Sequence, residues 1–129
     1  MELALNLAEL QVLSENFIKK TCTNLADNEL KVLVILKIYK ECSPTILISK
    51  IGILKTNLAI LLKRLVSSGL VEARRSSLDA RSKMFALTPA GHNLMDDVVG
   101  TIDRCLDDVP KEEFYFALQT VLMVLNKKI

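Results

Sequence analysis

Apolar residues recur at helical spacing along most of this chain and switch to strand-like alternation once. Leu3, Leu7, Leu10, Val12, Leu13, Phe17 and Ile18 form a broad stripe, predicting a first helix from about Glu2 to about Cys22. A second helix is expected to start at Asp27 as N-cap, with Leu25 before it as a staple. Its set Leu30, Leu33, Val34, Leu36, Ile38 and Tyr39 is nearly continuous, which predicts a central, buried helix. Ser43-Pro44 is a hydroxyl cap followed by proline at the first helical position, so a short third helix opens there and ends at Gly52. The fourth helix is expected from about Lys55 to Ser68, with Leu54, Leu58, Leu61, Leu62 and Leu65 on its buried side. Lys55, Thr56, Asn57, Ala59, Ile60, Lys63, Arg64 and Ser67 fall on the other side, and Gly69 stops it.

After Gly69 the period changes. Val71 and Ala73, then Met84 and Ala86, alternate with polar or charged neighbours, as strands with one buried face do. A polar loop, residues 76–82, joins them into a hairpin. Thr88-Pro89 repeats the cap-plus-proline start and launches a fifth helix through about Leu106. Pro110 opens a last helix, Lys111 to about Lys127, whose stretch Phe114–Leu125 is apolar almost all round. In so small a domain, a second copy of the chain is the expected neighbour for such a helix.

Helix, turn, helix and a basic two-stranded hairpin, in that order, make a winged helix-turn-helix. The predicted fold is mainly α with a small β-hairpin wing, flanked by N- and C-terminal helices. The 129 residues form one domain large enough to bury a core without staples. Hydrophobic residues are 50% and aromatics 5% with no Trp, a balance that favours helix-on-helix packing.

Charge sharpens this picture. Between Lys50 and Lys83 lie eight basic and two acidic residues, so that segment carries +6 and the remainder −4. A basic module in an acidic body suits an anionic polymer, whereas a solvated face is the plainer reading of charge alone. Its overlap with the helix-turn-helix pattern favours DNA.

Other chemistry is thin. Three cysteines in separate segments argue against a disulfide framework, and one histidine with no close cysteine pair supports no metal site. His92 receives no role, and the pairs Asp96-Asp97, Asp107-Asp108 and Glu112-Glu113 read as solvated or helix-start charges. No phosphate loop, nucleophile elbow or partnered histidine is present, so neither an enzyme nor a cofactor is expected. The first residues lack a basic leader pattern, and the apolar stretches Val32–Ile38 and Phe114–Leu125 are too short or too interrupted to span a bilayer. A cytoplasmic protein without membrane contact is expected.

At these residues the chain resembles the multiple-antibiotic-resistance regulator (MarR) family of bacterial transcription factors. The resemblance rests on Leu25, Glu29 and Val32-Leu33 at the start of helix two, and on Leu65 with Gly69-Leu70-Val71 after helix four. It rests also on Asp79-Ala80-Arg81 in the wing and Leu87-Thr88-Pro89-Ala90-Gly91 beyond it. Asp-x-Arg followed at this spacing by Leu-Thr-x-x-Gly is its most specific part. The resemblance implies a single domain over residues 1–129: a DNA-binding lobe at about 27–88, and a helical dimerisation region at about 1–22 and 89–129. It implies a homodimer, a repressor on a pseudo-palindromic double-stranded operator, with half-sites ~34 Å apart. It also implies a small amphipathic effector, held between the dimer region and the DNA-binding lobes.

Carried over position by position, the resemblance puts helix four in the major groove. Lys55, Thr56 and Asn57 are then first-turn contacts to bases and phosphates, while Lys63 and Arg64 serve the phosphate backbone. The family commonly has Ser where this chain has Leu54, and Thr and Arg at Ala59 and Ile60. Ile60 can touch a thymine methyl but cannot make a bidentate bond to guanine, so sparse base reading or a preference for A·T-rich sites is expected. The wing carries Arg74, Arg75, Ser76, Ser77, Asp79, Arg81 and Lys83. By resemblance Arg81 enters the minor groove, and Asp79 is mainly structural.

Some relatives sense peroxide through cysteine. Cys22, close to Lys19 and Lys20, is the candidate here, as a secondary reading. Cys42 and Cys105 are expected as small core hydrophobes. The competing functional reading is a winged-helix protein-interaction module that has lost DNA binding, with Ala59 and Ile60 forming a protein contact.

Overall fold

A computed structural model describes residues 2–21, 24–76, 78–79 and 82–129. Among these, six helices and three short strands follow one another: α1 (Glu2–Thr21), α2 (Asp27–Tyr39), β1 (Glu41–Cys42), α3 (Pro44–Ile51), α4 (Lys55–Ser67), β2 (Val71–Arg75), β3 (Lys83–Leu87), α5 (Pro89–Cys105) and α6 (Lys111–Lys128). The mainly helical winged helix-turn-helix expected from the sequence is the fold observed.

Local chemistry sets most boundaries. Ser43 Oγ accepts from the Ile46 amide at 3.2 Å, Pro44 follows, and Gly52 closes α3 in the left-handed region. At the end of α4, the Gly69 amide donates to Val66 O and the Leu70 amide to Leu65 O, a Schellman closure. It needs the positive φ of Gly69, +80°. Thr88 caps α5 by accepting from the Gly91 amide at 3.0 Å, and its hydroxyl donates to Gly69 O at 2.6 Å. One threonine thus joins the α4–β2 turn to the start of α5.

Asp27 is the first residue of α2 and not its cap. Ala26 stands at the N-cap without a side-chain bond, and Asp27 pairs with Lys19 of α1 at 3.3 Å. Aspartate at either position complements the helix dipole, so composition alone does not separate them.

The core gathers around α2. Val32, Leu33 and Leu36 are fully buried against Leu47 of α3, Leu58, Leu61, Leu62 and Leu65 of α4, Met95 of α5, and the sheet. Each such side chain contributes roughly 1.5–3 kcal/mol on burial. The last turn of α2 emerges from this core, leaving Ile38 and Tyr39 exposed, contrary to the expectation of a wholly buried helix. Leu54 also departs from expectation. It precedes α4 in extended conformation and is 70% exposed, while Ile53 packs on the core instead. Helical periodicity does not govern a residue outside the helix.

The sheet has one more strand than the hairpin predicted. β1 pairs antiparallel with β3, giving the order β1-β3-β2. Lys40, with φ of +71°, turns the chain out of α2 into this strand. With β3 in the centre, Phe85, Ala86 and Leu87 are all buried, so the expected alternation fails there. Ala73 is exposed and Met84 only half-buried.

Among the described residues, neither terminal helix has a fully buried side chain. On α1, Leu3, Leu7, Leu10, Val12 and Leu13 are exposed, and on α6 Phe114, Tyr115, Phe116, Leu122, Met123 and Val124 are. Lys50 of α3 donates to Asn126 of α6 at 2.9 Å and lies 5.1 Å from the Tyr39 ring centroid. Cys42 is buried, and burial pushes its thiol above the ordinary value. Cys105 is exposed at the end of α5, so it is not a core residue. Cys22 lies outside the described residues.

Candidate nucleic-acid interface

Burying Leu58, Leu61, Leu62 and Leu65 against α2 turns the opposite side of α4 outward. Lys55, Thr56, Asn57, Ile60, Lys63 and Arg64 are all exposed there. Leu54 at the N-cap supplies no side-chain bond to the first turn, so its amides are not occupied by a capping oxygen.

The helix has two flanks with different neighbours. On one, Lys55, Ala59 and Lys63 face Ala73, Lys83 and Phe85 of the hairpin across a groove of ≈ 540 Å³. Three lysines from α4 and β3 therefore share one concavity, with Lys83 Nζ 5.9 Å from the Phe85 ring centroid. On the other flank, Asn57, Ile60 and Arg64 border a hollow of ≈ 360 Å³ against Ala26–Glu29 at the start of α2. Here Arg64 donates to Glu29 at 3.5 Å.

In the wing, register brings Arg74 opposite Met84 and Arg75 opposite Lys83. Arg74 is turned back onto Glu72 at 3.2 Å and Glu41 at 3.7 Å. The tip is pinned from within. Ser76 N donates to Ser82 O, Ser76 Oγ accepts from Leu78 N, and Asp79 accepts from Ser82 through both its backbone oxygen and its carboxylate. Ser77 and Arg81 lie outside the described residues.

Apart from Arg75, the described residues assigned from sequence fall into two groups. Lys55, Thr56, Asn57, Ile60 and Lys63 form one outward face with Lys83 beside it. Arg64 and Arg74 share their charge with acidic side chains that sequence reasoning did not connect to them. Glu29 lies 35 positions from Arg64, so no local pattern marks the pair.

Away from this face, a mostly apolar cavity of ≈ 420 Å³ opens between α1, α2 and α5, reaching the end of α3. Ile18, Leu30, Val34, Met95 and Val98 line it, with Lys19 and Lys50 among its charged groups. Beside it, Lys37 Nζ donates to His92 Nδ1 at 3.2 Å and pairs with Asp96 at 2.8 Å. His92, assigned no role from the sequence, is thereby part of the α2–α5 contact. Among the described residues no cluster of His, Cys, Asp or Glu could hold a metal ion. No single described helix is long and apolar enough to cross a membrane.

No protein-family model and no curated protein matches this sequence. Its three-dimensional arrangement does have counterparts among solved structures. The transcriptional regulator PA4135 superposes with a TM-score of 0.77 at 22% identity, covering 97% of this chain and 96% of that one. A cysteine-to-serine MarR mutant from E. coli, solved in complex with operator DNA, does so with a TM-score of 0.70 at 18% identity, covering 97% and 94%. The fold is that of the MarR-type regulators. NadR in complex with 4-hydroxyphenylacetate shares it as well, with a TM-score of 0.73 at 22% identity over 96% and 89% of the two chains. Within that fold, α3 and α4 are the helix-turn-helix and β2 and β3 the wing.

Proposed function

We propose that this chain is a MarR-family transcriptional regulator, a homodimeric repressor that binds a pseudo-palindromic double-stranded operator. The observation that carries this reading is the outward face of α4, where Lys55, Thr56, Asn57, Ile60 and Lys63 stand exposed beside Lys83 of the wing. A helix of this length, bare of acidic residues on that side, suits the major groove: lysines meet phosphates, Thr56 and Asn57 meet phosphates or base edges, and Ile60 meets a thymine methyl. The complex of MarR with operator DNA supports this use of the fold.

Residues of about 27–88 act as the DNA-binding lobe, and about 1–22 with 89–129 as the dimerisation region. The uncovered apolar faces of α1 and α6 support a homodimer, since apolar surface of that extent on a monomer marks an interface. The cavity between α1, α2 and α5 receives a small amphipathic effector, a reading supported by the NadR complex with 4-hydroxyphenylacetate. The protein acts by binding and not as an enzyme, and it works in the cytoplasm.

Selection of bound duplexes from a random pool, followed by affinity measurement across salt concentrations, tests the reading. Operator binding predicts a recovered two-fold-symmetric site and affinity falling steeply as salt rises. A reporter carrying that site should fall in expression when the protein is supplied. The competing reading, a protein-interaction module, draws on Ala59 and Ile60, both exposed on α4. It predicts no duplex affinity even at low salt.

A further inference from the structure

The wing ends in a leucine. Leu78 is 96% exposed, more than any other large hydrophobic residue among the described ones, and it stands at the tip of a hairpin whose stem is basic. The backbone there is held by its own polar groups. Ser76 Oγ accepts from the Leu78 amide at 3.1 Å, and the Ser82 amide donates to Asp79 O at 3.0 Å. The Ser82 hydroxyl donates to Asp79 Oδ2 at 3.3 Å. Ser76, Asp79 and Ser82 thus bond to one another and to the Leu78 amide within the turn, and the aliphatic side chain of Leu78 is left to solvent. Behind the tip stand Arg75 and Lys83, opposite one another in register. An apolar point on a cationic stem matches a groove with phosphate walls and a floor of stacked bases.

We infer that Leu78 is an apolar wedge for the minor groove of the duplex bound by α4; the inference rests on the DNA-binding reading above. The minor groove is roughly 6 Å wide and 7.5 Å deep, too narrow for a helix but open to a single side chain on a hairpin tip. Leucine inserted between base steps unstacks them partly and kinks the duplex by about 20–90° toward the major groove. The kink selects sequence without hydrogen bonds to bases, because pyrimidine–purine steps unstack most easily. This suits a recognition helix that offers Ile60 where an arginine could have read guanine. A protein partner is the less fitting occupant, because the stem behind Leu78 is basic, with Arg75 opposite Lys83.

The test uses the full chain and a duplex recovered by its own selection, labelled at both ends for energy transfer. Affinity and end-to-end distance are compared for the unaltered protein and for Leu78→Ala, Leu78→Ser and Leu78→Met. The unaltered protein should shorten the end-to-end distance. Leu78→Ala and Leu78→Ser should lose most of that shortening and on the order of tenfold in affinity. Leu78→Met should keep both, and thermal unfolding of all four should coincide. A straight duplex in the unaltered complex overturns the wedge while leaving DNA binding intact. Unchanged affinity and bend in Leu78→Ala do the same. Weakened self-association with unchanged duplex affinity reassigns Leu78 to a protein contact and overturns it too. If the unaltered protein binds no duplex, the functional reading fails and the wedge with it.

Discussion

Arg64 Nη1 stands 3.5 Å from Glu29 Oε1, so a cation on the outward side of α4 is held by the first turn of α2. The guanidinium side chain is 62% exposed and the carboxylate only 20%. Such a pair adds little to stability, well under about 1 kcal/mol. Under the proposed function its consequence is for binding, because a phosphate would compete with Glu29 for Arg64.

Glu29→Gln removes that competitor. Duplex affinity should rise a few-fold at low salt, and the slope of log affinity against log salt should steepen by up to about one unit. Chemical denaturation should barely change. A fluorescence-anisotropy titration at several salt concentrations reads both quantities, and an unaltered slope would exclude Arg64 as a phosphate contact freed by this change.

Two glycines of α5 should respond in opposite directions to the same substitution. At Gly91 an added Cβ would collide with the backbone oxygen of Leu70, which cannot yield as a side chain would. Gly91→Ala should therefore cost at least about 2 kcal/mol. At Gly100 the nearest atom is the flexible end of Arg104, at 3.6 Å. Gly100→Ala should stabilise by roughly 0.5–1 kcal/mol through helix propensity. Urea midpoints of the two variants decide the matter.

The Thr88 hydroxyl serves two partners, donating to Gly69 O and accepting from Gly91 N. Thr88→Ala loses the cap and the tie between α5 and the turn before β2, at about 1–2 kcal/mol. Thr88→Ser keeps the oxygen and should retain most of the stability. Equal midpoints for the alanine variant and the unaltered protein would show that neither bond matters.

Asp96 gives a stability term with a definite pH dependence. Its hydrogen bond from Lys37, reinforced by the Lys37 charge and more weakly by His92, holds the carboxyl below its ordinary value of 3.8 against a small opposing effect of burial. Between the two values the unfolded chain binds more protons than the folded one. The contribution is therefore present above the unfolded-state value and lost as pH falls through the lower, folded-state value. Denaturation midpoints of the unaltered protein and Asp96→Asn should differ at neutral pH, and the gap should close on acidification. A gap that widens in acid would reverse the assigned sign.

Caps and breakers were the most legible part of the fold. Ser43-Pro44, Thr88-Pro89, Gly52 and Gly69 act on amides and carbonyls within a few residues of themselves, so their meaning survives in the sequence alone. The leucines of α4 were legible for a similar reason, since helical spacing alone puts them on one side. Legibility failed where neighbours come from afar. β1 has only two residues and exists because Glu41 and Cys42 meet Ala86 and Phe85 across the sheet. The run Phe85–Leu87 breaks alternation because both faces of β3 are covered there, by residues distant in the chain.

The candidate interface divides in the same way. Sequence by itself determined the elements, the concentration of positive charge between Lys50 and Lys83, and the side of α4 that carries Lys55, Thr56, Asn57, Ile60 and Lys63. These depend on local backbone preferences and on a period of 3.6 residues. Only the tertiary structure decided which cations face acidic partners, that Leu54 points away from the core, and that Lys83 joins the α4 lysines around one groove. Each depends on distances between residues far apart in the chain. Only packing fixes those distances.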